Sequence, residues 1–165
     1  MVVLALPHTL DVVVRQFKAE KLGFAGLDWM SEGDRALVEA LRREPTGTYL
    51  AEAVGDPYSE YGRLSSASGV PAYLGWENHE MIWRGDEILE ETKRRKAVIS
   101  SIYTCADPDE VRKVAAEAGL HLIAIGSLEH KDFSPQALDA VARSGEVVVD
   151  VAGAKLIRVS AIAPD

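Results

Sequence analysis

Aromatic, acidic and basic side chains crowd one stretch of the chain, from Tyr58 to Gly85: Tyr58, Glu60, Tyr61, Arg63, Tyr73, Trp76, His79, Glu80, Trp83 and Arg84. Flat rings cover the apolar face of a pyranose, while carboxylates and guanidinium groups exchange hydrogen bonds with its hydroxyls. The mixture therefore fits carbohydrate recognition. A carboxylate pair drawn from Glu60 with Glu77 or Glu80 could also carry glycoside hydrolysis, given an open cleft and a suitable separation. A structural reading stands beside both. Glu60 with Arg63 and Glu80 with Arg84 have the i,i+3 and i,i+4 spacings of helical ion pairs, and the rings could simply pack the stretch onto a sheet.

Other reactive arrangements are incomplete. Ser65, Ser66 and Ser68 are near His79 in sequence, but there is no G-x-S-x-G elbow and no acid assigned behind the imidazole. His79-Glu80 lacks the second histidine of an H-E-x-x-H helix. His121 falls in an apolar run where a core imidazole is expected, and Glu129-His130 is expected in a loop, so no metal site is assigned. No glycine-rich phosphate loop follows any expected strand, and Gly126-Ser127 reads as a plain turn. Cys105 precedes a helix start, a position that can lower a thiol pKa, but no base accompanies it. The sequence implies no cofactor.

The elements that must position these side chains alternate in type. Ser31 to Glu44 reads as a helix, with Ser31 as its cap and Leu37, Ala40 and Leu41 on one face. Thr48 to Val54 reads as a strand closed by Gly55-Asp56-Pro57. A short helix over Glu60 to Ser68, a short strand over Pro71 to Trp76 and a turn of helix over Asn78 to Arg84 follow. Asp86 is expected to cap a longer helix bearing Ile88, Leu89, Ile99 and Ile102. Asp107-Pro108 and Ser134-Pro135 are two further helix starts, each with a capping side chain and proline at the first helical position. Leu120 to Ile125 is apolar enough for a strand buried on both faces. Glu146 to Val151 and Lys155 to Val159 form a hairpin through Gly153. The pattern predicts an α/β, three-layer sandwich with a partly parallel, Rossmann-like sheet and an antiparallel C-terminal edge hairpin. One domain spans 27–165, with an irregular insert at about 57–85, preceded by a segment 1–26. Because the insert follows a strand, it falls where open α/β sheets hold ligands.

The 165-residue length and 47% hydrophobic content are those of one ordinary domain. A net charge of −8 argues against nucleic acid as a partner. The run Lys93-Arg94-Arg95-Lys96 follows Glu90 and Glu91 at helical spacing and reads as a solvated, ion-paired face. A single cysteine excludes an internal disulfide.

Four strings of residues are more specific. Ser59-Glu60-Tyr61-Gly62-Arg63 is followed by Gly69-Val70-Pro71-x-x-Leu74-Gly75-Trp76-x-x-His79-Glu80-x-x-Trp83-Arg84-Gly85. Ile102-Tyr103-Thr104 with Asp107-Pro108, and then Ile125-Gly126-Ser127-Leu128-Glu129, complete the set. From about Leu27 to Val159 the chain resembles the C-terminal soluble part of the multi-pass "YYY" membrane protein family, itself similar to GT-C type membrane glycosyltransferases that use lipid-linked sugars. It departs from the family pattern at Glu77, Ile82 and Ala152-Gly153. The resemblance implies that Val2 to Leu6 is a juxtamembrane remnant and that the domain faces the extracytoplasmic side. Its implied partners are the membrane domain of the same parent chain and a sugar or lipid-linked sugar, with the catalytic carboxylate elsewhere. A free-standing small-molecule or protein-binding module and a small carboxylate-dependent hydrolase are the alternatives.

Overall fold

Two parallel strands that end side by side set the frame for everything the site uses. The computed structural model describes residues 26–159; the expectations for Val2 to Leu6 and for residues 1–25 of the first segment lie outside them. Strand β1 (Leu50–Ala51) pairs in parallel with β2 (Leu122–Ile125), and β2 is antiparallel to β4 (Ala154–Arg158), which is antiparallel to β3 (Glu146–Val151). The order across the sheet is β1-β2-β4-β3, a mixed α/β sheet with an antiparallel C-terminal hairpin. The hairpin turn uses Ala152 at φ 49° and Gly153 at φ 82°, the left-handed pair that a tight two-residue turn requires.

Alternation along the strands splits the core into two clusters, one per face. Leu50, Leu122, Ala124 and Leu156 face helix α1 (Glu32–Leu41), with Leu37, Val38 and Leu41, and helix α2 (Arg63–Ser68), with Leu64. Ala51, Ile123, Ile125 and Ile157 face the other way, against Ile99, Ile102 and Tyr103 of α4 (Leu89–Thr104), Val111 and Ala115 of α5 (Pro108–Glu117) and Leu138 and Val141 of α7 (Pro135–Arg143). Helices thus cover both faces, and all four residues of β2 are buried, as its apolar run requires. Each fully buried aliphatic side chain of this kind contributes about 1.5–3 kcal/mol of transfer free energy.

Three helix starts carry the expected caps. Ser31 accepts from the Asp34 amide, Asp107 from Asp109 with Pro108 in the first turn, and Ser134 from Ala137 with Pro135 in the first turn.

Several expectations are corrected. The strand over Thr48 to Val54 shrinks to Leu50–Ala51, because the Ala53 amide donates to the Glu129 carboxylate instead of to a neighbouring strand, while the Glu52 side chain accepts from the amides of Leu64 and Ser65. Pro71 to Trp76 is only a bridge at Ala72, in which Leu50 N–H donates to Pro71 O and Tyr73 N–H to Leu50 O. Pro71 lacks a donor, and the chain turns away into α3 (Glu77–Arg84). The long helix begins at Leu89 after a 3-10 turn over Asp86–Ile88. His121 lies before β2 and is exposed, its Nδ1 accepting from the Tyr49 amide. Glu129-His130 belongs to a helix, α6 (Ser127–Asp132).

Candidate functional site

The insert hangs from the carboxyl ends of β1 and β2 through a buried ionic cluster. Arg63, at the start of α2, donates from Nε and Nη2 to both oxygens of Asp34 at 3.2 and 3.0 Å, and from Nη2 to Glu129 Oε2 at 3.1 Å. The three side chains are 1%, 2% and 0% exposed, so the pairing is shielded from water and each charge depends on its partners. Glu129 also accepts from the amides of Ala53, at 2.7 Å, and Gly126, at 2.8 Å, locking the exits of both parallel strands. Asp34 accepts in addition from the amide and hydroxyl of Ser127. Gly126 gives these groups the room they need. A β-carbon would collide with Asp34 Oδ1 and come within 2.7 Å of Arg63 Nη2.

Glu52, just past β1, caps α2 from outside that helix. Its two oxygens accept from the amides of Leu64 and Ser65 at 3.1 and 3.0 Å, replacing the side-chain cap that Gly62 cannot supply. Burial raises the Glu52 carboxyl above its ordinary pKa, the hydrogen bonds from Ser65 offset part of that, and the nearby Glu129 charge adds to the rise. Burial also pushes Asp34 upward, but hydrogen bonds from Arg63 and Ser127 outweigh it and hold that carboxyl below its ordinary value. For Arg63, burial alone would lower the guanidinium pKa, and the bonds to Asp34 with the charge of Glu129 reverse it. Tyr103, fully buried behind the cluster, donates to main-chain oxygens of Ala51 or Ala124, and burial raises its pKa well above the usual phenol value.

On this base stands an aromatic wall. Trp76 donates from Nε1 to Tyr61 O at 2.7 Å, and the Tyr61 hydroxyl donates to Asp132 at 2.7 Å on α6. The ring of His79 lies 5.1 Å from Trp76, 4.8 Å from Tyr58 and 6.2 Å from Trp83, with the last pair stacked at 17°. Tyr58 holds its ring there from a left-handed backbone, φ 58°, that bulky residues rarely adopt. Trp83 and Tyr58 are each 83% exposed.

Two cavities flank Trp76. The first, about 340 Å³, is lined by Trp76, His79, Glu80, Trp83 and Arg84 with Ser65 and Ser66. The second, about 360 Å³, is lined by Trp29, Glu60, Tyr61, Arg63 and Trp76. Glu80 Oε1 accepts from the Gly75 amide at 3.2 Å, which orients the carboxylate at the rim.

The structure therefore sorts the residues singled out by sequence. Trp76, His79, Glu80, Trp83 and Arg84 come together in one cavity, Glu60 and Tyr61 line the other, and Tyr58 packs on the wall between. Arg63 is bound into the ionic cluster, so the expected Glu60–Arg63 helical pair is replaced by Asp34 and Glu129. Tyr73 is 6% exposed in the core with Arg95 5.4 Å over its ring, away from both cavities. Glu77 pairs with Lys96 at 2.7 Å, tying α3 to α4. Elsewhere on the basic run, Lys93 pairs with Glu90 and both Arg94 and Arg95 with Glu91, whose carboxyl their hydrogen bonds lower to about 2. Sequence reasoning missed Asp34, Glu52 and Trp29. The usable signal for Glu52 was a charged residue inside an otherwise apolar strand.

No helix among the described residues is long and apolar enough to cross a membrane. No protein-family model, curated protein or solved structure matches the chain.

Proposed function

We propose that this domain is a carbohydrate-recognition module, the extracytoplasmic accessory part of a membrane glycosyltransferase-like protein, and not a catalyst by itself. The observation that carries the recognition reading is the first cavity. Its walls are Trp76, His79 and Trp83, and its rim carries the Glu80 carboxylate, the Arg84 guanidinium and the Ser65 and Ser66 hydroxyls. Rings take the C–H face of a pyranose, and the rim groups exchange hydrogen bonds with its hydroxyls. The glycosyltransferase context rests on the resemblance of the Ser59 to Arg63, Gly69 to Gly85 and Ile125 to Glu129 strings, with the reacting carboxylate and the lipid-linked donor assigned to the membrane part of the parent chain.

Most carboxylates around the cavities have structural partners. Glu77 is engaged by Lys96 and Glu80 by the Gly75 amide, and the buried carboxylates Asp34, Glu52 and Glu129 spend their oxygens on Arg63 and main-chain amides. These carboxylates hold the wall in place.

The test is calorimetric titration of the 165-residue chain with methyl pyranosides, alongside a glycosyl-transfer assay with a lipid-linked sugar. Saturable binding that His79→Ala and Trp83→Ala weaken at least about tenfold without changing the melting temperature supports the reading. Turnover of the lipid-linked sugar by this chain, or loss of folding in both variants, would overturn it.

A further inference from the structure

The chain has three tryptophans, and all three line the two cavities: Trp83 the first, Trp29 the second, and Trp76 both. Gly62 and Ser66 are shared as well, so the cavities are adjacent compartments of one groove with Trp76 as the ridge between them. Their volumes, about 340 and 360 Å³, are nearly equal, and each lies near the lower end of the roughly 300–1,000 Å³ of small-ligand sites. Each compartment has an exposed indole, Trp83 at 83% and Trp29 at 58%. Each also has a carboxylate, Glu80 in the first and Glu60 in the second.

The ridge is fixed from below. Trp76 Nε1 donates to Tyr61 O, and the Tyr61 hydroxyl is held by Asp132, so the ring cannot swing into either compartment without breaking that chain of bonds. Trp29 is held locally, its Nε1 donating to Gly26 O at 3.0 Å, which leaves the ring face available.

Resting on the carbohydrate reading, we propose that the ligand is an oligosaccharide of at least two pyranose units that straddles Trp76, one ring against Trp83 and His79 and the next against Trp29. A single ring fills one compartment and leaves the other indole uncovered. Repetition of the same equipment, an indole plus a carboxylate, on both sides of a fixed aromatic ridge matches a repeating ligand better than a single sugar with a different appendage. Glu80 is matched by Arg84 in the first compartment, and Arg63 beside Glu60 in the second is already paired with Asp34 and Glu129, so the lining has no excess of cations and, in a chain of net charge −8, suits a hydroxyl-rich, uncharged ligand.

The experiment is a length series measured by calorimetry on the 165-residue chain. The probes are the methyl β-glycoside, the β-1,4-linked disaccharide and the tetrasaccharide of glucose and of N-acetylglucosamine. The expected result is a disaccharide and tetrasaccharide affinity about tenfold or more above that of the methyl glycoside in at least one series. Trp29→Ala should abolish that gain and Trp29→Phe should retain part of it. Trp83→Ala should weaken the short and long probes alike. Truncation of Trp29 removes an exposed ring, so the melting temperature serves as the folding control. Equal affinities across the length series, or a gain that survives Trp29→Ala, would overturn the two-compartment proposal while leaving single-ring recognition standing. Absence of binding by every probe would overturn both.

Discussion

Removing the Arg63 guanidinium tests the claim that the insert is mounted on a buried ionic cluster. Arg63→Met keeps much of the aliphatic volume but leaves Asp34 and Glu129, 2% and 0% exposed, facing each other without a cation. Breaking a buried pair by deleting one partner costs about 3–5 kcal/mol, because the remaining charge is stranded in a poorly solvated site. Here two carboxylates lose a donor, three hydrogen bonds of 3.0–3.2 Å disappear, and the upper part of that range applies. At roughly 2–4 °C per kcal/mol for a chain of this size, the melting temperature falls by about 10–20 °C. The cost is electrostatic, so it shrinks in acid: urea unfolding at pH 7.5 and pH 4.5 should show the deficit of Arg63→Met smaller at the lower pH, as the Asp34 carboxyl, no longer held down by the guanidinium, protonates. Adding Asp34→Asn and Glu129→Gln should recover part of the loss at neutral pH. A deficit below about 1 kcal/mol, or one independent of pH, would refute the reasoning.

Further outcomes follow from the same neighbourhood. Gly126→Ala should destabilise by at least about 2 kcal/mol in urea unfolding, because the added methyl collides with Asp34 in a site without room to relax. Glu52 is raised above its ordinary value of 4.5, so its contribution to stability is present below that pH and is lost as pH rises through its folded value. The stability of wild type relative to Glu52→Gln should therefore decline between pH 4 and pH 8; a flat difference would contradict the assignment. Asp34, held below 3.8, behaves oppositely: its contribution is present at neutral pH and is lost as pH falls through its folded value, so the deficit of Asp34→Asn should narrow in acid. Tyr58→Gly relieves the left-handed strain at φ 58° while removing the ring from His79, so stability should change by less than about 1 kcal/mol while pyranoside affinity drops.

Local rules made much of the fold legible. Ser31, Asp107-Pro108 and Ser134-Pro135 each announce a helix through hydrogen bonds that span only two or three residues, and the structure places the caps there. The apolar run over Leu120 to Ile125 gives a strand covered on both faces, shortened to Leu122–Ile125 because the polar His121 falls outside it. Elements stabilised by distant partners were less legible. Arg63 reaches across 29 residues to Asp34 and 66 to Glu129, and a pattern search at helical spacing assigns it to Glu60 instead. β1 appeared longer than it is because Glu52 and Ala53 have strand-like neighbours yet bond to Ser65, Leu64 and Glu129. The aromatic insert was legible as a dense stretch, but its division into a core ring, Tyr73, a wall of Trp76, His79 and Trp83, and a second compartment with Trp29 is a property of the packing.

The central claim is that the wall formed by Trp76, His79 and Trp83 holds a sugar. With three tryptophans in the chain, the indole N–H region of a nitrogen–proton correlation spectrum should contain three resolvable signals, assigned by replacing each in turn with phenylalanine. Titration with the pyranosides and oligosaccharides of the length series should move the Trp83 and Trp76 signals along a common saturating curve, and should move Trp29 only with the longer probes. Signals that stay fixed through the titration, or that shift in proportion to added sugar without saturating, would contradict the account.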